Sequence, residues 1–319
     1  MSKIQWTDET WNPTTGCTKI SPGCLNCYIE RTPPMRMAGR KFVKGKIPLE
    51  LHEDRLDKPL QWKKPRRIFV NSMSDLFHED IPDAFIRRVF AVVSLAGQHT
   101  FQILTKRADR LASWFRDHPE NSLSACQAEY CVEDGYPRTP TGKSRVRDLR
   151  SINGSRSNGE GNLWPLRNVW LGVSVENQEQ ADRRIPPLLQ TPAAVRFLSC
   201  EPLLSDIDLS EWIQFQGPTW RYSDADDSTG RPGIDWVIVG GESGPNSRQA
   251  HLEWFRDIIR QCKAASVPVF MKQTGQCVLT GRSSIDKPSV ATQAVMLKDK
   301  KGGDMKEWPS DLRVREFPK

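Results

Sequence analysis

Between residues 67 and 272, short β-branched and aromatic runs alternate with longer stretches whose apolar residues recur at helical spacing. The pattern predicts strands at Arg67–Asn71, Thr100–Thr105, Asn168–Val175, Ala194–Ser199, Ile234–Val239 and Val267–Lys272. Pro82 opens a helix with Phe85, Val89 and Val93 on one face, and Arg107 to Phe115 reads as another. Further helices carry Ala181, Ile185 and Leu188, then Leu252, Phe255, Ile259 and Cys262. A seventh strand is expected before Cys17. Strand–helix alternation requires right-handed crossovers and a parallel sheet.

Either an open doubly wound sheet or a full or partial (β/α) barrel satisfies this order. Nearly every strand ends in polar or reactive residues: Asn71-Ser72 with Asp75, Thr105-Lys106-Arg107, Ser174 and Glu176, Ser199-Cys200-Glu201, Gly240-Gly241-Glu242-Ser243, and Lys272-Gln273. A barrel gathers all strand C-termini at one mouth, whereas an open sheet uses mainly its switch point, so the barrel is preferred. Single members of the set also suit helix caps. The expectation is one barrel-type domain over 1–319, with a polar, basic insertion at 117–163. That insertion reads as a surface loop, with a lid or nucleic-acid arm as the functional alternative. Residues 216–233 read as a smaller, flexible insertion.

The chain has 319 residues, with 46 Lys and Arg against 39 Asp and Glu, a net charge of +7. That balance admits a polyanionic partner without requiring one. No stretch reaches the roughly 20 apolar residues of a membrane span, and the N-terminus lacks a signal peptide's apolar block. A cytoplasmic location is expected, where eight cysteines do not imply a disulfide framework.

Three of those cysteines, Cys17, Cys24 and Cys27, fall within eleven residues in C-x6-C-x2-C spacing. The C-x2-C pair lets two thiolates reach one metal centre, and Pro22-Gly23 supplies a turn to bring Cys17 back. Three chemistries remain open: ordinary buried thiols, a zinc site, and a four-iron four-sulfur cluster held by three thiolates. Zinc needs a fourth ligand, and no other Cys or His precedes His52. The cluster, with one iron left for a substrate, is preferred.

The stretches Trp11-Asn12-Pro13-Thr14-Thr15-Gly16-Cys17, Ile68 to Phe77, Trp170 to Glu176, Phe197 to Leu203, Trp236 to Gly244 and Gly302 to Arg315 resemble the three-Cys-motif proteins of phages and bacteria, a family of unassigned function. The cysteine loop also resembles that of radical S-adenosylmethionine enzymes, whose usual spacing is C-x3-C-x2-C with an aromatic before the third cysteine. Here Asn26 takes that place. The resemblance implies a radical-enzyme or TIM-like barrel, a [4Fe-4S] cluster on Cys17, Cys24 and Cys27, bound S-adenosyl-L-methionine and a reductant for the cluster.

Gly240, Gly241 and Glu242 match the letters of a motif that binds the cofactor's amino group in such enzymes. Ser174, Glu176, Ser199, Glu201 and Asn71 are further candidate cofactor contacts. Cys200, Lys106, Lys272 and Asp75 are the candidate catalytic residues, with salt-bridge networks and a buried thiol as the structural alternatives. Basic residues cluster at Arg31–Lys46 and around Trp62 at Lys58–Arg67, with more between Arg138 and Arg156. They suit a nucleic acid or nucleotide substrate, or simply a solvated surface. The expected function is a radical S-adenosylmethionine-type iron–sulfur enzyme. The alternative is a non-catalytic nucleic-acid-binding protein with structural zinc.

Overall fold

The computed structural model describes residues 4–117, 164–213, 233–280 and 293–318. The insertion from 118 to 163, including the basic segment 138–156, lies outside the described residues, as do 216–232.

Among the described residues there are eleven strands: β1 Glu9–Trp11, β2 Thr14–Thr18, β3 Lys46–Leu51, β4 Arg67–Val70, β5 Thr100–Thr105, β6 Val169–Ser174, β7 Val195–Cys200, β8 Trp236–Gly240, β9 Ala250–His251, β10 Val269–Gln273 and β11 Val278–Leu279. Seven of them form one parallel sheet in the order β1-β4-β5-β6-β7-β8-β10, flanked by helices. This is a partial β/α barrel. The strand expected before Cys17 is β1, paired with β4 through Trp11 and Val70. Sequence pattern did not reveal β2 and β3, a separate two-stranded sheet that carries Cys17.

The chain divides into two compact units, one of residues 1–17, 47–170 and 191–194, the other of 18–46, 171–190 and 195–319. In the first, Ile68, Val70, Phe101 and Ile103 are buried, and so are Phe85, Val89 and Val93 of the helix Asp83–Leu95, as the periodicity requires. Phe90 of that helix stacks on Trp114 at 5.0 Å between centroids. Each such side chain contributes about 1.5–3 kcal/mol by leaving water.

In the second unit every residue of β8 is buried, the unbroken apolar run of a strand covered on both faces. The helix Leu252–Ala264 buries Phe255, Ile258, Ile259 and Cys262. β10 ends the sheet, and residues 314–316 run along its outer side: the Met271 N–H donates to the Val314 carbonyl at 2.9 Å and the Glu316 N–H to the Val269 carbonyl at 3.0 Å. Met271 pairs with Val239 and Gln273 with Gly240, which leaves Lys272 as the extra residue of a bulge.

Candidate functional site

In the first unit, β4 is followed by Asn71, which adopts a left-handed backbone, φ 59°. Among non-glycine residues asparagine enters that conformation most readily. Its N–H donates to the Trp11 carbonyl at 2.8 Å, and its carbonyl receives the Ser74 N–H at 3.3 Å. The Asn71 Nδ2 is buried without a hydrogen-bond partner among the described residues. Buried amide donors are rarely left so.

β2 delivers Cys17 through a close approach. Gly16 has φ 98°, and a Cβ there would lie 2.1 Å from the Pro48 carbonyl oxygen, so a side chain is excluded. Beside Cys17 lies a buried ion pair, Arg107 Nη1 to Asp75 Oδ2 at 3.1 Å, both side chains 8% exposed. Asp75 is fully coordinated: it also accepts from the Thr105 hydroxyl at 2.7 Å and from the Phe77 and Lys106 N–H groups, each at 3.0 Å. Arg107 reaches Glu79 at 2.7 Å and the Cys17 Sγ at 3.9 Å. Burial works against the Arg107 charge, but Asp75, Cys17 and Glu79 outweigh it and raise its pKa. Asp75 thus anchors the arginine that accompanies Cys17.

In the second unit, Cys24 and Cys27 sit on one tight turn, with the Cys27 N–H donating to the Cys24 carbonyl at 3.3 Å. The Pro22–Cys24 3-10 turn begins it, the work of the Pro-Gly pair. Two strand-end acids hold this turn. Glu176, just past β6 and wholly buried, accepts from the Ser21 hydroxyl and from the Gly23 N–H at 3.1 Å. Its charge is balanced by Arg184 at 2.8 Å. Glu242, just past β8, accepts from the Asn26 side-chain amide at 3.0 Å and pairs with Arg248 at 2.6 Å. Burial disfavours its ionised form, but the hydrogen bonds from Arg248 and Asn26 prevail and hold its carboxyl below the ordinary glutamate range.

The other candidates have partners of their own. Lys272 pairs with Glu201 at 2.8 Å. Gly240 gives room to the Glu201 carboxylate, which would lie 2.8 Å from an added Cβ, and Gly241 would strike the Thr274 carbonyl at 2.1 Å. Close packing therefore accounts for both glycines. Ser174 and Ser199 are buried, and the Ser174 carbonyl accepts from Arg184 at 2.7 Å. Cys200 is wholly buried. Burial first, then nearby Cys262, Glu201 and Glu176, raises its thiol pKa well above the ordinary value, which opposes the thiolate a fourth metal ligand would need. Trp62 is half-buried, with the Arg66 guanidinium 5.2 Å over its ring. Arg66 and Arg67 are paired with Glu9 and Asp8, so part of the second basic run is neutralised.

None of the six described cysteines forms a disulfide. Cys17, Cys24 and Cys27 are half-buried, soft donors of the kind that iron and zinc take. Among the described residues no three His, Cys, Asp or Glu side chains form a metal-holding group. The loop fits a metal by donor chemistry and not as a finished cage. Sequence reasoning missed Ser21, Arg184 and Arg248, and treated Asn26 only as a departure from a motif.

The fold defines a partial β/α barrel whose thiol-bearing turn lies, in sequence, between β2 and β3. Residues 1–306 match a family described as a protein of unknown function, DUF5131, and the chain belongs to that family. The chain matches no curated protein and no solved structure. Among the described residues, no helix is long and apolar enough to cross a membrane.

Proposed function

We propose that this chain is a radical S-adenosylmethionine-type enzyme with Cys17, Cys24 and Cys27 as ligands of a [4Fe-4S] cluster. When bound, such a cluster supplies one-electron cleavage of S-adenosyl-L-methionine. The observation that carries the reading is the turn holding the half-buried Cys24 and Cys27, tied to carboxylates at the ends of two barrel strands. The resemblance of the cysteine loop to that of radical S-adenosylmethionine enzymes points the same way.

The chain's own residues take distinct parts. Arg107, fixed by Asp75, sets a positive charge beside the Cys17 sulfur. The unpartnered Asn71 amide offers a donor for a cofactor or substrate acceptor. Lys106, and Lys272 with Glu201, are charged strand-end groups suited to substrate contact. Cys200 stays protonated inside the core, where packing is its part.

A nucleic acid or nucleotide substrate is favoured by the exposed Arg36, Lys41, Lys44 and Lys46, which share a segment with exposed Tyr28. Anaerobic reconstitution with iron and sulfide, followed by reduction, tests the enzyme reading. Near-equal iron and acid-labile sulfide and release of deoxyadenosine are expected. Stoichiometric zinc with negligible iron overturns the reading and leaves a zinc-bearing binding protein.

A further inference from the structure

We propose that Glu176 and Glu242 are positioning residues that shape the Cys24–Cys27 turn before any metal binds. The role of that turn as a ligand loop rests on the iron–sulfur reading, whereas the clamp itself does not.

Four residues of the turn are tied down by the body of the second unit. Ser21 and Gly23 bind Glu176, Asn26 binds Glu242, and the Pro22 carbonyl receives Arg248 Nη1 at 2.9 Å. Asn26 also donates to the Asn246 carbonyl at 2.8 Å, and its own carbonyl receives Arg31 at 3.0 Å. The fit at Gly23 is specific, since an added Cβ would lie 2.9 Å from the Glu176 carboxylate carbon. Each acid is charge-balanced on one side by arginine and completed on the other by the turn. Opening the turn would leave these carboxylates short of hydrogen bonds, Glu176 inside the protein, so the turn is coupled to the fold.

Gly-Gly-Glu therefore has a different task here from the one its letters suggest. Glu242 holds the cysteine turn in place of a cofactor's amino group. A turn already shaped lets a metal bind without first ordering the chain, the advantage of preorganisation.

Changing Glu176 would strand the buried Arg184, and changing Glu242 would take the carboxylate from the half-buried Arg248, so the test removes the partners on the turn instead. The Ser21→Ala, Asn26→Ala double variant leaves both Glu–Arg pairs intact. Hydrogen–deuterium exchange is measured on the full-length chain after chelation and again after iron and sulfide are added. In the wild type, the peptide 20–28 should be protected without metal. In the double variant it should exchange about tenfold faster or more while β6 and β8 peptides are unchanged. Iron uptake should fall in parallel, and Ser21→Thr, which keeps the hydroxyl, should hold wild-type protection. A wild-type turn that exchanges like an unstructured peptide until metal is added overturns the proposal. So does a double variant as protected as the wild type. A protected metal-free turn in a protein that takes up no iron would remove the cluster reading and leave the clamp standing.

Discussion

Five of the six described cysteines fall into two contrasting groups. Cys17, Cys24 and Cys27 are half-buried among polar partners: an arginine beside Cys17, a serine hydroxyl 3.7 Å from Cys24. Cys200 and Cys262 are completely buried, and burial pushes the Cys262 thiol up to about 12. The residue is the same and the chemistry opposite, because a thiolate needs charge partners or water and the core offers neither. A cysteine's role follows from its surroundings more than from its presence.

The sharpest way to break this contrast is to remove sulfurs one at a time. Cys17→Ala, Cys24→Ala or Cys27→Ala should each eliminate most bound iron and sulfide, while Cys200→Ala should retain it. Loss of iron in Cys200→Ala would move that thiol into the first group. Alkylation of the native, metal-free chain gives the next largest effect. Burial keeps the Cys262 thiol protonated at pH 7. Mass spectrometry should find the loop cysteines modified and Cys200 and Cys262 untouched until denaturant is added. Cys200→Ser should cost about 1–3 kcal/mol in a urea melt, because it buries a hydroxyl where a thiol packed.

A smaller effect sharpens the same point with other groups. Burial, above all, lowers the pKa of His78 and His99, so both resist protonation in the native state. Below the ordinary histidine value of about 6.5 the unfolded chain binds protons that the native state refuses. Stability should fall as pH drops through that region, and His99→Gln should shallow the slope. The smallest effect belongs to the surface: Lys41→Glu with Lys44→Glu should change stability by about 0.5 kcal/mol or less. If nucleic acid binds, the same pair should weaken its binding to a single-stranded oligonucleotide in a low-salt titration.

The sheet was legible in the sequence because its strands are covered on both faces and so read as unbroken apolar runs. Trp236–Gly240 stood out for that reason, while Thr100–Thr105 stood out by its β-branched and aromatic residues, with ends misplaced by no more than two residues. β2 and β3 were not legible, since a run such as Thr14-Thr15-Gly16-Cys17 has no apolar rhythm. The acids at the strand ends were visible as acids, but their partners were not. Ser21 and Glu176 are 155 residues apart in sequence, and Asn26 and Glu242 are 216 apart. Local pattern carries no signal for such pairs. Lys272 looked like an ordinary strand residue, and only the register showed the bulge.

The strip at 314–316 matters for more than packing. An open sheet ends in a row of unpaired backbone donors and acceptors, a template on which a strand from another molecule can add. β10 is such an end, and Val314 and Glu316 already occupy its free groups. The strip acts as a guard against self-assembly at that edge. Without it, a chain with its core intact would still carry a sticky border, and its hazard would be aggregation instead of unfolding.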